Sequence, residues 1–141
     1  MSTFTVYRID SASLFRDHHA IFVETHENGE GTGHLYQVAG NIQQGMAFED
    51  RLEDRPESSL SFASKVKIGT VSRHNNPCIK GVCEGVPVPK KQFDGPKRLY
   101  PNEPIRRCQE WTAEAIQALV DAQILRPLEA DATSGLSSPS A

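Results

Sequence analysis

One amphipathic helix, preceded along the chain by strand-like segments, constrains the fold most. Apolar residues recur at helical spacing in a single stripe, which comprises Cys108, Trp111, Thr112, Ala115, Ile116, Leu119 and Val120. Pro104 suits the first turn of this helix, and Pro127 prevents it from continuing. Strands followed by a helix are typical of α+β domains. The chain is therefore expected to form an antiparallel sheet packed against a C-terminal helix.

The strand-like segments lie in the first half of the chain. Their β-favouring residues predict strands at 4–9, 19–24, 34–39 and 45–49, and one or two more within 59–71. The second segment is apolar enough to be buried on both faces of a sheet. A polar, glycine-rich turn separates the second segment from the third. These two strands are therefore expected to pair as an antiparallel hairpin.

A long loop is predicted between the strands and the helix. Residues 74–104 contain six prolines and three glycines, and loops of this length are usually functional or mobile. The loop is locally basic around residues 90–98, which indicates either a solvated surface or a strip that docks an anionic substrate. Residues 127–141 are small and polar and are expected to form a disordered tail after one domain at 1–126.

Composition excludes several functional classes. With 141 residues and a formal net charge of -3, the chain is long enough for one core and is not expected to bind nucleic acid. It shows neither a signal-peptide pattern nor a run that could span a bilayer, so a cytoplasmic location is expected. No phosphate loop, catalytic carboxylate pair or cofactor motif is present, and no cofactor is expected. The oligomeric state does not follow from the sequence.

Cys78 and Cys83 allow a metal interpretation, with His74 as a further ligand. A structural zinc site needs four ligands, usually from two clusters, and the sequence has no second cluster. A disulfide between the two cysteines is sterically possible but not expected in a reducing compartment. Both are therefore interpreted as loop residues, and no metal is predicted.

The residues most suited to chemistry are Cys108 and the pair His18-His19. A thiol at a helix N-terminus meets unpaired N–H groups and the positive end of the helix dipole, which favour the thiolate, and Arg106 and Arg107 act in the same direction. An imidazole within hydrogen-bond reach would make this thiol an activated nucleophile. The alternative is an inert core cysteine, since Cys108 also lies on the apolar stripe.

Two motifs resemble those of a known group of enzymes. The segment 18–23, HHAIFV, is similar to the histidine strand of the permuted papain-like enzymes of the NlpC and lecithin:retinol acyltransferase type, and 107–111, RCQEW, is similar to their cysteine helix. The chain also resembles small fungal single-domain proteins of unassigned activity over roughly residues 4–125. This resemblance implies a papain-like α+β core and a setting in small-molecule biosynthesis.

Carried over by position, the resemblance assigns Cys108 as nucleophile and His18 as base, with Gln37 in the slot of the third polar group. Gln37 shares the His18 face only if paired residue numbers across the hairpin sum to an odd value; an even sum would bring His34 or Tyr36 there. Glutamine can orient an imidazole but carries no negative charge.

Three further residues are candidate substrate contacts. Arg107 replaces the family's asparagine and could lower the thiol pKa or bind an anionic group. Trp111 is foremost a core anchor and secondarily a pocket wall, and His19 occupies the position of the family's aromatic residue. The expected activity is acyl transfer or hydrolysis on a thioester, ester or amide. The alternative is a non-catalytic papain-like domain that binds a small ligand or a protein.

Overall fold

The five long strands and the C-terminal helix follow the order that the sequence predicts. A computed structural model describes residues 2–12 and 17–128. Its strands are β1 (Thr3–Ser11), β2 (His18–Glu24), β3 (Gly33–Asn41), β4 (Gly45–Glu53), β5 (Phe62–Ser72), β6 (Phe93–Asp94), β7 (Lys97–Arg98) and β8 (Leu125–Pro127), and its helices are α1 (Ile79–Glu84) and α2 (Cys108–Asp121). Six strands form one antiparallel sheet in the order β4-β3-β2-β1-β5-β8, and β6 and β7 form a separate ribbon. The predicted α+β class with a C-terminal helix is confirmed.

The main core lies between the sheet and α2. Trp111, Ala115 and Leu119 project from the helix onto buried side chains of the central strands, as the helical spacing of the apolar stripe predicts. A smaller cluster that contains Phe22 and Leu35 lies apart from this core. Four consecutive residues of β2 are buried, so the prediction that this strand is covered on both faces is confirmed.

The residue numbers that pair across the β2–β3 hairpin sum to an odd value. Ile21 pairs with Tyr36, and Val23 pairs with His34. Because side chains alternate along a strand, this register places Gln37 on the face that carries His18. The condition that the sequence set for a contact between these two side chains is therefore met.

The ends of α2 differ from the prediction. The helix begins at Cys108, four residues after Pro104, because the side chain of buried Gln92 binds both the N–H and the C=O of Arg106 and holds that segment extended. It ends at Asp121, and β8 follows and pairs with β5. Pro127 thus closes a strand and is not the first residue of a tail. Residues 129–141, for which disorder is predicted, lie outside the described residues.

The segment predicted as a long loop contains short regular elements. A 3-10 turn at Asn76–Cys78 leads into α1, and the β6–β7 ribbon follows. Val86 is bound at its carbonyl by the Trp111 indole, and Met46 of β4 donates its N–H to Pro89. The prolines remove backbone donors that a long strand or helix would need, which explains why the segment is irregular yet closely packed on the sheet.

Candidate active site

A chain of three hydrogen-bonded side chains crosses the start of β2. His18 lies in β2, Gln37 in β3 and Glu49 in β4. The ring nitrogen Nε2 of His18 lies 2.8 Å from Oε1 of Gln37, and Nε2 of Gln37 donates to Oε2 of Glu49 at 2.6 Å. The β3–β4 register, in which Gln37 pairs directly with Glu49, explains the second contact. Gln37 is 8% exposed, so its amide is held in one environment.

This chain determines which nitrogen of His18 carries the proton. A carboxylate only accepts hydrogen bonds, so Gln37 must present its NH₂ group to Glu49 and its oxygen to His18. His18 therefore donates from Nε2. In the neutral ring this leaves Nδ1 with a lone pair, which is the form a general base requires.

Cys108 lies in the first turn of α2, within hydrogen-bond reach of the His18 ring. A hydrogen bond from the backbone N–H of His19 also lowers the pKa of the thiol. Two oxygens lie near the thiol: the carbonyl of Asp17 at 4.0 Å and Oε1 of Gln109 at 3.5 Å. Cys108 is 7% exposed and belongs to the apolar core cluster, as both the core and the catalytic interpretations expect, but its sulfur also lies near polar groups that an inert core cysteine does not need.

The two central groups shift each other's ionisation. The hydrogen bond with Cys108 raises the pKa of His18; burial opposes this, while the bond to Gln37 and the charge of Glu49 add to it. Burial by itself raises the pKa of Cys108, but the hydrogen bonds and charge of His18 and the N–H of His19 together bring it below the ordinary thiol value. Both shifts favour a thiolate–imidazolium pair.

A surface cleft opens beside the sulfur. Its volume is about 660 Å³, within the size range of small-molecule sites. It is bounded by the β3–β4 turn, by β6 and by the start of α2; its lining includes Ile42, Met46, Phe93, Arg107, Cys108 and Gln109. His18 also lines it, so the base and the nucleophile face the same space.

The three residues predicted to contact substrate lie in different parts of the structure. Arg107 lines the cleft, and its backbone N–H donates to Glu110 at 2.7 Å, which caps α2. His19 instead directs its side chain to Asp10, with Nε2 3.5 Å from the carboxylate. Trp111 is fully buried in the core and donates its indole N–H to Val86 at 3.2 Å. The structure thus places the His19 and Trp111 side chains away from the cleft.

Sequence reasoning missed Glu49, Gln109 and Gln92. Glu49 lies at the end of a strand that the sequence predicts, and the register of the β3–β4 hairpin pairs it with Gln37. Gln109 donates its side-chain N–H to the carbonyl of Asp17. Gln92 carried no signal, since its partners are backbone groups of a segment fourteen residues away.

The other cysteines differ from Cys108. Cys78 is exposed and Cys83 is buried, and both are free thiols. Burial raises the pKa of Cys83 to about 12. Within residues 2–12 and 17–128, no group of three or more histidine, cysteine or acidic side chains could hold a metal ion. Over the same residues, no helix has the length and apolar character needed to cross a membrane.

Comparison with known proteins places the chain in one family. Residues 6–126 match a family of unknown function, DUF6540. No curated protein and no solved structure matches the chain. The matched range contains His18, Gln37, Glu49 and Cys108, so the candidate active site lies entirely within the family's domain.

Proposed function

The chain belongs to the DUF6540 family, and we propose that it is a cysteine-dependent enzyme that transfers or hydrolyses an acyl group carried as a thioester, ester or amide. The observation that carries this proposal is the tautomer of His18. Its Nε2–H is committed to Gln37, which leaves Nδ1 to accept the proton of Cys108. A nucleophile, a base and a group that orients the base are the minimum for this chemistry.

The reaction has two steps. Sγ of Cys108 attacks the substrate carbonyl carbon after its proton has passed to His18, which forms an S–C bond. The tetrahedral intermediate collapses, the bond to the leaving group breaks, and the leaving group takes the proton from His18. Water, an alcohol or an amine then gives a proton to His18, attacks the thioester and releases Cys108.

The helix start supplies electrostatic support for the transition state. The N–H of Cys108 has no partner within its own helix because it lies in the first turn of α2. An N–H in this position can donate to the oxyanion that forms beside the sulfur. Glu49 complements the developing imidazolium through the neutral amide of Gln37, which offsets the missing charge of a glutamine in the orienting position.

The proposal includes a permuted papain-like arrangement. In the lecithin:retinol acyltransferase-like branch the histidine strand precedes the cysteine helix, as β2 precedes α2 here, and the orienting group lies on the next strand, as Gln37 does. An antiparallel sheet with a cysteine at the N-terminus of a packed helix supports this assignment. A role in small-molecule biosynthesis is consistent with the cleft volume of about 660 Å³.

The test is acylation of the protein by p-nitrophenyl acetate. The reaction is monitored by the release of p-nitrophenolate and by the mass of the intact protein. We expect a burst that leaves one acetyl group on Cys108, followed by slower turnover. The variants C108A and H18A should lose the burst, whereas C78A, which removes an exposed thiol elsewhere, should keep it. Acetylation confined to Cys78 would contradict the proposal and favour the alternative, a domain of the same fold that binds a ligand without turnover.

A further inference from the structure

The backbone of the first residues of β2 contacts α2 where it would otherwise pair with β3. Strands β2 and β3 pair at three positions, and Ile21 is the first residue of β2 that pairs with β3. Residues 18–20 still belong to β2, and the N-terminal turns of α2 lie against them. The helix side chains here take the place of a neighbouring strand's backbone as hydrogen-bond partners.

Three side chains of α2 make these contacts. Gln109 donates to the carbonyl of Asp17, and Oγ1 of Thr112 donates to the carbonyl of His19 at 3.3 Å. In the extended strand the N–H of His19 points to the same side as its carbonyl, toward Cys108 one helical turn before Thr112, and a hydrogen bond from this N–H lowers the pKa of the thiol. Both backbone polar groups of His19 are therefore bound by one helix, its carbonyl by Thr112 and its N–H by Cys108.

We propose that Thr112 is a positioning residue for the nucleophile: its hydroxyl holds the His19 carbonyl against α2 and thereby directs the N–H of the same residue at the Cys108 sulfur. Where catalysis is concerned, this inference rests on the proposed function. The geometric part does not, because it concerns only the sulfur and its donor.

The physical basis is the rigidity of a strand residue. In an extended residue the N–H and the C=O point to the same side, so fixing one direction fixes the other. Thr112 is 0% exposed, and no water can replace its contact. A threonine in a helix usually bonds a carbonyl of its own preceding turn; here the hydroxyl bonds the strand that carries the base.

Packing alone does not require the hydroxyl. Valine has nearly the same shape as threonine and would fill the buried space, yet it cannot donate to His19. Serine would keep the donor and lose a methyl group. The pair T112V and T112S therefore separates the hydrogen bond from the packing.

The experiment measures the pH midpoint for alkylation of Cys108 by iodoacetamide, located by peptide mass spectrometry. T112V should raise the midpoint by about half a pH unit or more, because the thiolate loses a hydrogen-bond donor. T112S should restore the wild-type midpoint. The matched control is T32V, since Thr32 is also buried and donates to a backbone carbonyl, that of Gly29 at 2.7 Å, away from the sulfur.

An unchanged midpoint in T112V, with a lowered melting temperature like that of T32V, would show that Thr112 is merely structural and would overturn the inference. Should T112V fail to fold, the His19 amide in the wild type provides the second measurement. Its NMR shift should titrate with the Cys108 midpoint in addition to any response to the facing His18 ring, and this step should vanish in C108S. A His19 amide that ignores the thiol would also overturn the inference.

Failure of the two proposals can be distinguished with the same proteins. If p-nitrophenyl acetate never acylates the wild type while T112V still shifts the alkylation midpoint, the proposed function fails and the positioning role stands. If the wild type turns over and T112V leaves the midpoint unchanged, the positioning role fails and the proposed function stands.

Discussion

Gln37 donates a 2.6 Å hydrogen bond to Glu49, and this contact decides where the proton of His18 lies. The amide of Gln37 could otherwise face either way, since its oxygen and nitrogen are nearly the same size. Glu49 selects the orientation that leaves Nδ1 of His18 as the acceptor. The neutral amide of Gln37 thus transmits the effect of the Glu49 carboxylate to the His18 ring.

Replacing Glu49 with glutamine should lower the pKa of His18 and raise that of Cys108. The variant E49Q can donate as well as accept, so it no longer selects one orientation of Gln37, and the negative charge that raises the His18 pKa is lost. We expect the rate of Cys108 acylation at neutral pH to fall roughly 10-fold. Loss of a partner that orients a metal-binding histidine has an effect of similar size.

The matched control for this change is E53Q. Glu53 is on the same strand and also pairs with Arg51, at 3.0 Å, but it does not contact Gln37. Its variant should acylate at the wild-type rate. Equal losses in E49Q and E53Q would indicate a general effect of negative charge and not the orientation of Gln37.

The three thiols should react in a fixed order as pH rises. Cys108 should be alkylated first, because its pKa is lowered by His18 and by the His19 N–H despite burial. Cys78 should follow, because its side chain is exposed to the reagent. Cys83 should react only after unfolding, since burial raises its pKa to about 12. Peptide mapping after iodoacetamide treatment at several pH values gives the order, and labelling of Cys83 in the native protein would contradict it.

Gln92 should support both stability and the cleft. In Q92L the part-buried N–H and C=O of Arg106 lose their partners, at a cost of about 1–3 kcal/mol in the free energy of unfolding, since each hydrogen bond contributes about 0.5–1.5 kcal/mol. Urea unfolding measures this loss. The same change at exposed Gln44 should alter the stability by less than about 0.5 kcal/mol, and a similar loss in both variants would show that Gln92 has no special role.

Trp111 should matter for stability and not for the thiol. W111F removes the indole donor and leaves the buried carbonyl of Val86 unpaired, together with a small cavity in the core. We expect a loss of about 2–3 kcal/mol in the free energy of unfolding. The pH midpoint for Cys108 alkylation should stay at the wild-type value. A shifted midpoint would mean that the indole also shapes the cleft.

Asp10 should contribute to acid sensitivity. Its hydrogen bonds with Arg8 keep its pKa below the ordinary value; burial opposes this, and a bond from Ser64 and the nearby His19 add to it. A carboxyl with a lowered folded-state pKa contributes stability above its unfolded-state pKa and loses that contribution as pH falls through the folded-state value. The free energy of unfolding of D10N should therefore depend less on pH below about 4 than that of the wild type. Parallel pH profiles of the two proteins would contradict this.

The part of the fold that depends on side-chain periodicity could be predicted. The helical stripe forms a buried face that contains Trp111 and Leu119, and the continuous apolar run of β2 matches its burial on both faces. The sequence allowed two registers for the β2–β3 hairpin. The register in which paired residue numbers sum to an odd value brings Gln37 to His18. These features repeat along the sequence, so a single chain carries enough information to find them.

The remainder depends on contacts between backbone and distant side chains. Gln92 determines where α2 begins by binding Arg106, and no local pattern marks that bond. Strand β8 exists because Gly69 of β5 allows close approach: a Cβ at that position would overlap the carbonyl oxygen of Arg126. Glu49 lay at the end of a recognised strand, but its role appears only when two hairpins are considered together.

The short ladder between β2 and β3 has a consequence for how the protein matures. The His19 amide and carbonyl receive their partners from a helix that is synthesised some ninety residues later. Until that helix docks, no helix side chain prevents β2 and β3 from pairing beyond Ile21, toward His18. The reactive centre therefore cannot assemble before residues 108–112 have been synthesised and have docked against the start of β2.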